Sequence, residues 1–301
     1  MKKLLFIFNP RAGKAKIKHK LFEIIDIFVK AGYEVTVYPT QKEGDACCQV
    51  QERGRNFDLL VCGGGDGTLD EVMSGVVKSG LDLPVGYIPS GSTNDFAESL
   101  GLPRDMLLAA RDIVKGRDYA CDIGAFNEEC FVYIAAFGLF TDVSYETSQE
   151  SKNLLGHMAY ILEGMKRLSS IRFYHLKVNY RKEKGEEVCM EDEFIFGMVT
   201  NSVSVGGFRR ITGRCVELDD GQFEVTLIKK PSNPLEINAI ITALLNSNIN
   251  SEYMYCFKTS RIDFESKQEI PWTTDGEFGG NHRRVWIENH RQAVKIRIPA
   301  K

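Results

Sequence analysis

The run Val61-Cys62-Gly63-Gly64-Gly65-Asp66-Gly67-Thr68 constrains this chain more than any other stretch, because four glycines and one carboxylate separate an apolar strand-like segment from a helix-like one. Phe57 to Cys62 is largely apolar, and Leu69 to Val77 carries apolar residues at helical spacing. Glycines between such elements let backbone N–H groups approach anionic oxygens, and the helix N-terminus adds its positive dipole end. Asp66 is out of place for direct phosphate contact; it makes chemical sense when magnesium stands between carboxylate and phosphates. The plainer alternative is a glycine-rich turn with a helix-capping Asp.

Two further loops have the same setting. Leu4 to Phe8 runs into Asn9-Pro10-Arg11-Ala12-Gly13-Lys14, and Pro84 to Ile88 runs into Pro89-Ser90-Gly91-Ser92-Thr93-Asn94-Asp95. In an open parallel α/β sheet, loops at the carboxyl ends of the strands converge on one crevice, so the three motifs should share a site.

In this order and spacing, NPRAGK, GGGDGT and GSTNDFA resemble the diacylglycerol kinase catalytic-domain family, whose bacterial members are soluble lipid kinases. The likeness continues through Asp122-Ile123-Gly124, Asn201 with Gly206-Gly207, Glu217 to Gly221, and Asp275-Gly276-Glu277, so it covers nearly the whole chain. Two positions depart from the family pattern: Gly91-Ser92 stands where Gly-Thr is usual, and Gly213 where Pro is usual. Ser92 keeps the hydroxyl.

The 301 residues exceed what one small core normally holds, which predicts two domains. Net charge of −3 gives no global attraction to nucleic acid, so no nucleic-acid partner is expected. The eight cysteines show no CxxC pairing and no close Cys/His cluster, which argues against structural zinc and a disulfide framework. With no signal peptide, the chain reads as reduced and cytoplasmic. Its longest apolar run, Phe131 to Phe140, is ten residues, well short of the roughly 20 needed to span a bilayer.

Strand-like and helix-like segments alternate from residue 1 to about 120: strand 4–8, helix 17–31, strand 33–38, helix 45–53, strand 57–62, helix 68–79, strand 84–88. That alternation predicts a parallel sheet covered by helices. After Asp122 strand-like runs dominate, at 130–137, 171–180, 193–201, 223–229, 253–265 and 292–298, with helices at 153–168 and 234–246. The expected architecture is an α/β nucleotide-binding domain over 1–121 and an antiparallel β-sandwich lipid-substrate domain over 122–289, with the active site in the interdomain cleft. The resemblance implies that 290–301 rejoins the first domain, which would be NAD kinase/phosphofructokinase-like.

Phosphoryl transfer needs a held nucleotide, a metal bridging the phosphates and a base for the attacking hydroxyl. Candidates for holding ATP are Asn9, Thr40, Gly64, Gly65, Asp66, Gly67, Thr68, Ser92, Thr93 and Asn94, with Asp66 also the ligand of the catalytic Mg2+. Thr40 serves equally well as a helix cap. The resemblance makes Asp275 the general base and Glu277 its support or the metal's; by pattern alone Asp275-Gly276 is a hairpin turn. Glu217, Asp220 and the Gln222 carbonyl are implied to hold a structural Mg2+, with Asp122 linking that metal to the active site; by pattern alone this is a solvated acidic turn. On that reading Asp220→Ala lowers activity and thermal stability, whereas Asp275→Ala chiefly lowers activity.

Lys14, Lys16 and Lys20, with Arg11 and Lys18, cluster beside the first loop; such runs are commonly solvated helix faces, but at a cleft mouth each adds attraction to an anionic membrane surface. Lys152, Lys166 and Arg167 would extend that patch. The expected partner is thus a lipid at the inner membrane surface, reached by peripheral association; a homodimer is left open. Competing readings are NAD kinase, which also uses GGDGT, and a noncatalytic lipid or nucleotide sensor. The NPRAGK and GSTND loops oppose the first, and the acidic groups Asp66, Asp275 and Glu277 oppose the second.

Overall fold

The computed structural model describes residues 1–13, 15–138, 172–182, 185–205, 208–209, 216–245 and 252–300. Two compact units emerge, Met1–Ile123 with Arg291–Lys301, and Gly124–His290. In chain order the first contains β1 (Lys2–Phe8), α1 (Ile17–Lys30), β2 (Tyr33–Pro39), α2 (Asp45–Arg53), β3 (Leu59–Gly64), α3 (Asp66–Lys78), β4 (Pro84–Pro89), α4 (Asp95–Ser99), α5 (Met106–Lys115) and most of β5 (Arg117–Phe126). There follow β6 (Glu129–Phe131), β7 (Ile134–Gly138), β8 (Tyr174–Arg181), β9 (Glu187–Thr200), β10 (Ser204–Val205), β11 (Phe208–Arg209), β12 (Phe223–Lys229), α6 (Pro234–Leu245), β13 (Met254–Thr259), β14 (Arg261–Thr274) and β15 (Glu277–Ile298), whose last residues belong to the first unit.

In the first unit the order is β2–β1–β3–β4, then the end of β15, and each neighbouring pair is parallel. β3 is buried along its whole length, as expected of a parallel strand covered on both faces. Leu4, Phe6, Phe8, Leu59 and Val61 pack with Ile24 and Phe28 of α1 and Ala109, Ala110 and Ile113 of α5. Full burial of side chains such as Ile24 and Phe28 stabilises by roughly 1.5–3 kcal/mol each. β1 leads through α1 to β2 on one side, whereas β3 leads through α3 to β4 on the other. Right-handed crossovers therefore put α1 and α3 on opposite faces, with a switch point between β1 and β3.

Three local features differ from the expectations. α3 begins at Asp66, not Thr68, so the acidic residue occupies the first helical turn. α4 and α5 were not anticipated, although Asp105 signals the second: its Oδ1 accepts from the N–H groups of Leu107 and Leu108 at 3.0 and 2.8 Å. Such a cap stabilises by ~1 kcal/mol. The expected strand 292–298 is the tail of the 22-residue β15.

The described strand pairs of the second unit are antiparallel, as expected. β9 pairs with β7 through Phe196–Thr200 and with β8 through Glu187–Phe194. β14 likewise pairs with β8 through Arg261-proximal residues Ile262–Ser266 and with β7 through Trp272–Thr274. β7 and β8 thus lie end to end between β9 and β14, on the edge of β9 opposite β12, and the core of the unit includes Phe137, Tyr174, Phe194, Phe223, Phe264 and Trp272. β9 and β14, at 14 residues each, are long enough to serve these two neighbours in succession along one edge. β14 shifts register against β15 between Glu265 and Ile270, where such a strand can bend. The expected helix 153–168 lies outside the described residues, and no described helix is long and apolar enough to cross a membrane.

Candidate active site

The three glycine-bearing loops meet at the switch point of the parallel sheet. Asn9 N–H donates to the Gly63 carbonyl at 2.8 Å, Ser90 N–H to the Gly64 carbonyl at 2.7 Å, and Thr40 N–H to the Phe8 carbonyl at 2.9 Å. These bonds continue the strand ladders into the loops and fix their heights. Gly13 lies against the Ser90 carbonyl with no room for a β-carbon, and its φ of +55° is one glycine adopts freely. A β-carbon on Gly91 would lie 2.5 Å from the Gly65 Cα, so the second and third loops touch backbone to backbone.

Asp66 is 8% exposed. One carboxylate oxygen accepts from Asp95 N–H at 3.1 Å and from the Thr93 hydroxyl at 3.4 Å, and the other accepts from Phe96 N–H at 3.3 Å. The same side chain that begins α3 thus holds the start of α4 in place. Asn94, expected among the nucleotide contacts, is turned inward. Its Oδ1 accepts from Gly91 N–H at 2.9 Å and from the Tyr87 hydroxyl at 3.2 Å, while its amide donates to the Gly91 carbonyl at 2.9 Å. Burial, reinforced by the nearby Asp66 charge, pushes the Tyr87 phenol well above its ordinary pKa, so it remains a donor. With φ of +56°, Asn94 occupies the left-handed region that Asn tolerates, and its role is to shape the loop.

The other candidates fall around this crevice. Thr68 is buried in the first turn of α3, while Ser92 and Thr93 are exposed. Asn9 is half-buried, its Oδ1 accepting from Arg11 N–H at 2.9 Å. Thr40 does not cap α2, because Gly44 takes that position. Asp122 is fully buried and accepts from Gln292 N–H at 2.7 Å, tying β5 to the end of the chain. Lys16 directly precedes α1 and is exposed; Lys20 is exposed but paired with Glu23 at 3.0 Å; Lys14, Lys152, Lys166 and Arg167 lie outside the described residues.

Two observations fit a phosphate group and a hard cation among these loops. The first-turn N–H groups of α3, including those of Gly67 and Thr68, have no intrahelical acceptor. Ser90, which sequence reasoning passed over, has a buried hydroxyl without a hydrogen-bond partner. Its oxygen and the Asp66 carboxylate are the donor type that magnesium takes.

In the second unit, Asp275 and Gly276 have φ of +50° and +88° and close the β14–β15 hairpin between Thr274 and Glu277, a type I′ turn. The hairpin reading is therefore correct, yet it does not exhaust the residue. The Asp275 carboxylate is 6% exposed and accepts from the N–H groups of Val132, Tyr133 at 3.0 Å and Ile134 at 2.9 Å. Its own N–H donates to the Ile134 carbonyl at 2.8 Å. Glu277 is exposed.

Asp220 accepts from Gln222 N–H at 2.8 Å and from the Lys258 ammonium at 2.9 Å, while Glu217 points to solvent and is exposed. Lys258 also lies 3.1 Å from Glu224. Among the described residues no group of three or more His, Cys, Asp or Glu side chains is arranged to hold a metal ion. Burial pushes Glu224 up to about 7 despite the opposing pull of Lys258. Burial also works against the Lys258 charge, but Asp220 and Glu224 outweigh it and raise its pKa.

The profile of the diacylglycerol kinase catalytic domain matches residues 3–126, which contain all three loops. The diacylglycerol kinase of Bacillus subtilis is 34% identical over 93% of this chain and 91% of its own length. That of Staphylococcus carnosus is 33% identical over 99% and 95%. The crystal structure of a diacylglycerol kinase from Bacillus anthracis shares the fold, with a TM-score of 0.76 over 99% of this chain and 97% of the other at 24% identity. Carrying its glycine loops and Asp66 on one sheet edge and matching those relatives almost end to end, the chain belongs to the diacylglycerol kinase family, a family of ATP-dependent lipid kinases.

Proposed function

We propose that this enzyme transfers the γ-phosphoryl group of ATP to the free hydroxyl of diacylglycerol, with magnesium, at a membrane surface. The observation that carries the nucleotide half is the locking of three loops at the β1/β3 switch point with Asp66 embedded among them. Asn9, Thr40, the Gly64–Gly67 backbone, Thr68, Ser92 and Thr93 line the nucleotide, and Asn94 keeps the third loop in shape. Asp66 would hold magnesium, which when bound would supply charge neutralisation at the phosphates.

Asp275 accepts the proton of the attacking hydroxyl, supported by Glu277. As the new O–P bond forms at the γ-phosphorus, the bond to the β,γ-bridging oxygen breaks, and the products are phosphorylated lipid and ADP. Three N–H donors fix the Asp275 carboxylate, so a base is positioned before substrate arrives. Lysines near the first loop, Lys14, Lys16 and Lys20, favour peripheral contact with anionic lipid.

The test is incubation of purified protein with labelled ATP and separate acceptors: diacylglycerol, a sphingoid base, ceramide, NAD and water-soluble alcohols. Label in phosphatidate supports the reading. Transfer to NAD alone, or to no acceptor, overturns it.

A further inference from the structure

Helix α1 is amphipathic in an unusual sense, because its outward face is also partly apolar. Ile24 and Phe28 are fully buried beneath the helix, yet Phe22 is 82% exposed and Val29 53% exposed. At 100° per residue these two lie within a narrow sector, with half-buried Ile25 beside them, on the side facing away from Ile24 and Phe28. The stripe is spaced i, i+3, i+7. Singly exposed apolar side chains are ordinary; an aligned set on a well-packed helix marks a contact surface.

The charges around it indicate what it contacts. Arg11, Lys16 and Lys18 are exposed at the N-terminal end of the helix, and among the described residues none forms an ion pair. By contrast Lys30, on the flank of the stripe, is matched with Asp26 at 2.6 Å, and Lys20, on the far side of the helix, with Glu23 at 3.0 Å. Unmatched cations beside an exposed aromatic side chain are complementary to an interface that is anionic outside and apolar within.

We propose that the Phe22–Ile25–Val29 stripe of α1 is a docking surface for anionic membrane, with Phe22 and Val29 entering the headgroup region and Arg11, Lys16 and Lys18 facing lipid charge. This rests on the lipid-kinase reading for its purpose but not for its test, since vesicle binding is measured without turnover. The full chain is sedimented with vesicles of phosphatidylcholine, with and without phosphatidylglycerol, and compared with Phe22→Ser/Val29→Ser and Lys18→Gln.

The parent should partition onto the phosphatidylglycerol vesicles and come off as salt is raised. The double serine variant should lose about tenfold or more in vesicle affinity. Lys18→Gln should lose about fivefold on anionic vesicles and little on neutral ones. Turnover on a short-chain lipid in neutral detergent should persist in all three, which separates this proposal from the kinase reading. Unchanged partitioning of the double serine variant overturns the proposal, as does a parent that ignores anionic vesicles. A dimeric parent made monomeric by the same substitutions, with vesicle binding intact, gives the stripe to a second copy and also overturns it.

Discussion

Gly65 and Gly91 face each other so closely that a β-carbon on Gly91 would lie 2.5 Å from the Gly65 Cα and 2.8 Å from Asn94 Oδ1. Gly91→Ala should therefore separate the second and third loops and cost about 1–3 kcal/mol through overpacking, together with most of the activity. Gly80→Ala is the control: φ is +59° but open space surrounds the site, so about 1–2 kcal/mol of backbone strain is expected with activity retained. Denaturant melts and turnover of the two variants separate a local clash from a general loss of stability.

Asp66→Asn should abolish nearly all phosphoryl transfer, by about 100-fold or more, because the metal loses a charged ligand. A smaller structural cost also follows, since both carboxylate oxygens receive N–H groups of α4 and the amide nitrogen cannot accept. About 1–3 kcal/mol is expected from that mismatch. Turnover close to that of the parent would remove Asp66 from metal binding.

Asp275 carries more of the structure than its motif implies. Asp275→Asn puts an amide NH2 against backbone donors of residues 132–134, so stability should fall by about 2–4 kcal/mol alongside the loss of activity. This revises the expectation that substitution here chiefly lowers activity. A variant that melts with the parent while losing turnover would show that the three N–H groups find other acceptors.

Glu224 binds its proton more tightly in the folded chain, with a pKa moved from 4.5 to about 7 by burial. Stability contributed by this group is therefore complete below pH 4.5 and is lost as pH rises through about 7. Glu224→Gln should gain stability relative to the parent over that window, by an amount on the order of 3 kcal/mol, and the difference should stay flat above it. Parallel curves for parent and variant between pH 4 and 8, roughly the range that matters, would show that Lys258 already compensates the ionised carboxylate.

Much of the first unit was legible because its signals are local. An apolar run ending in glycines gives strand, loop and helix within a few residues, and three such runs give a parallel sheet edge. What the sequence could not show was direction: Asn94 has the same chemistry whether it faces a ligand or, as here, Gly91 and Tyr87. The second unit was less legible because placing β7 and β8 end to end between β9 and β14 depends on pairings between residues far apart in the chain. Lys258 illustrates the same limit. It meets Asp220 across 38 positions, so nothing in the acidic turn itself indicates that pairing.

β15 has residues in both units, and its pairing Lys295↔Pro84 and Ile296↔Val85 covers the outer side of β4. During synthesis, β4 is made long before its neighbour. For the intervening period, its outer row of N–H and C=O groups stays open to any strand that approaches. The nascent first unit therefore carries an unpaired strand edge until residues 295 and 296 are available to cover it.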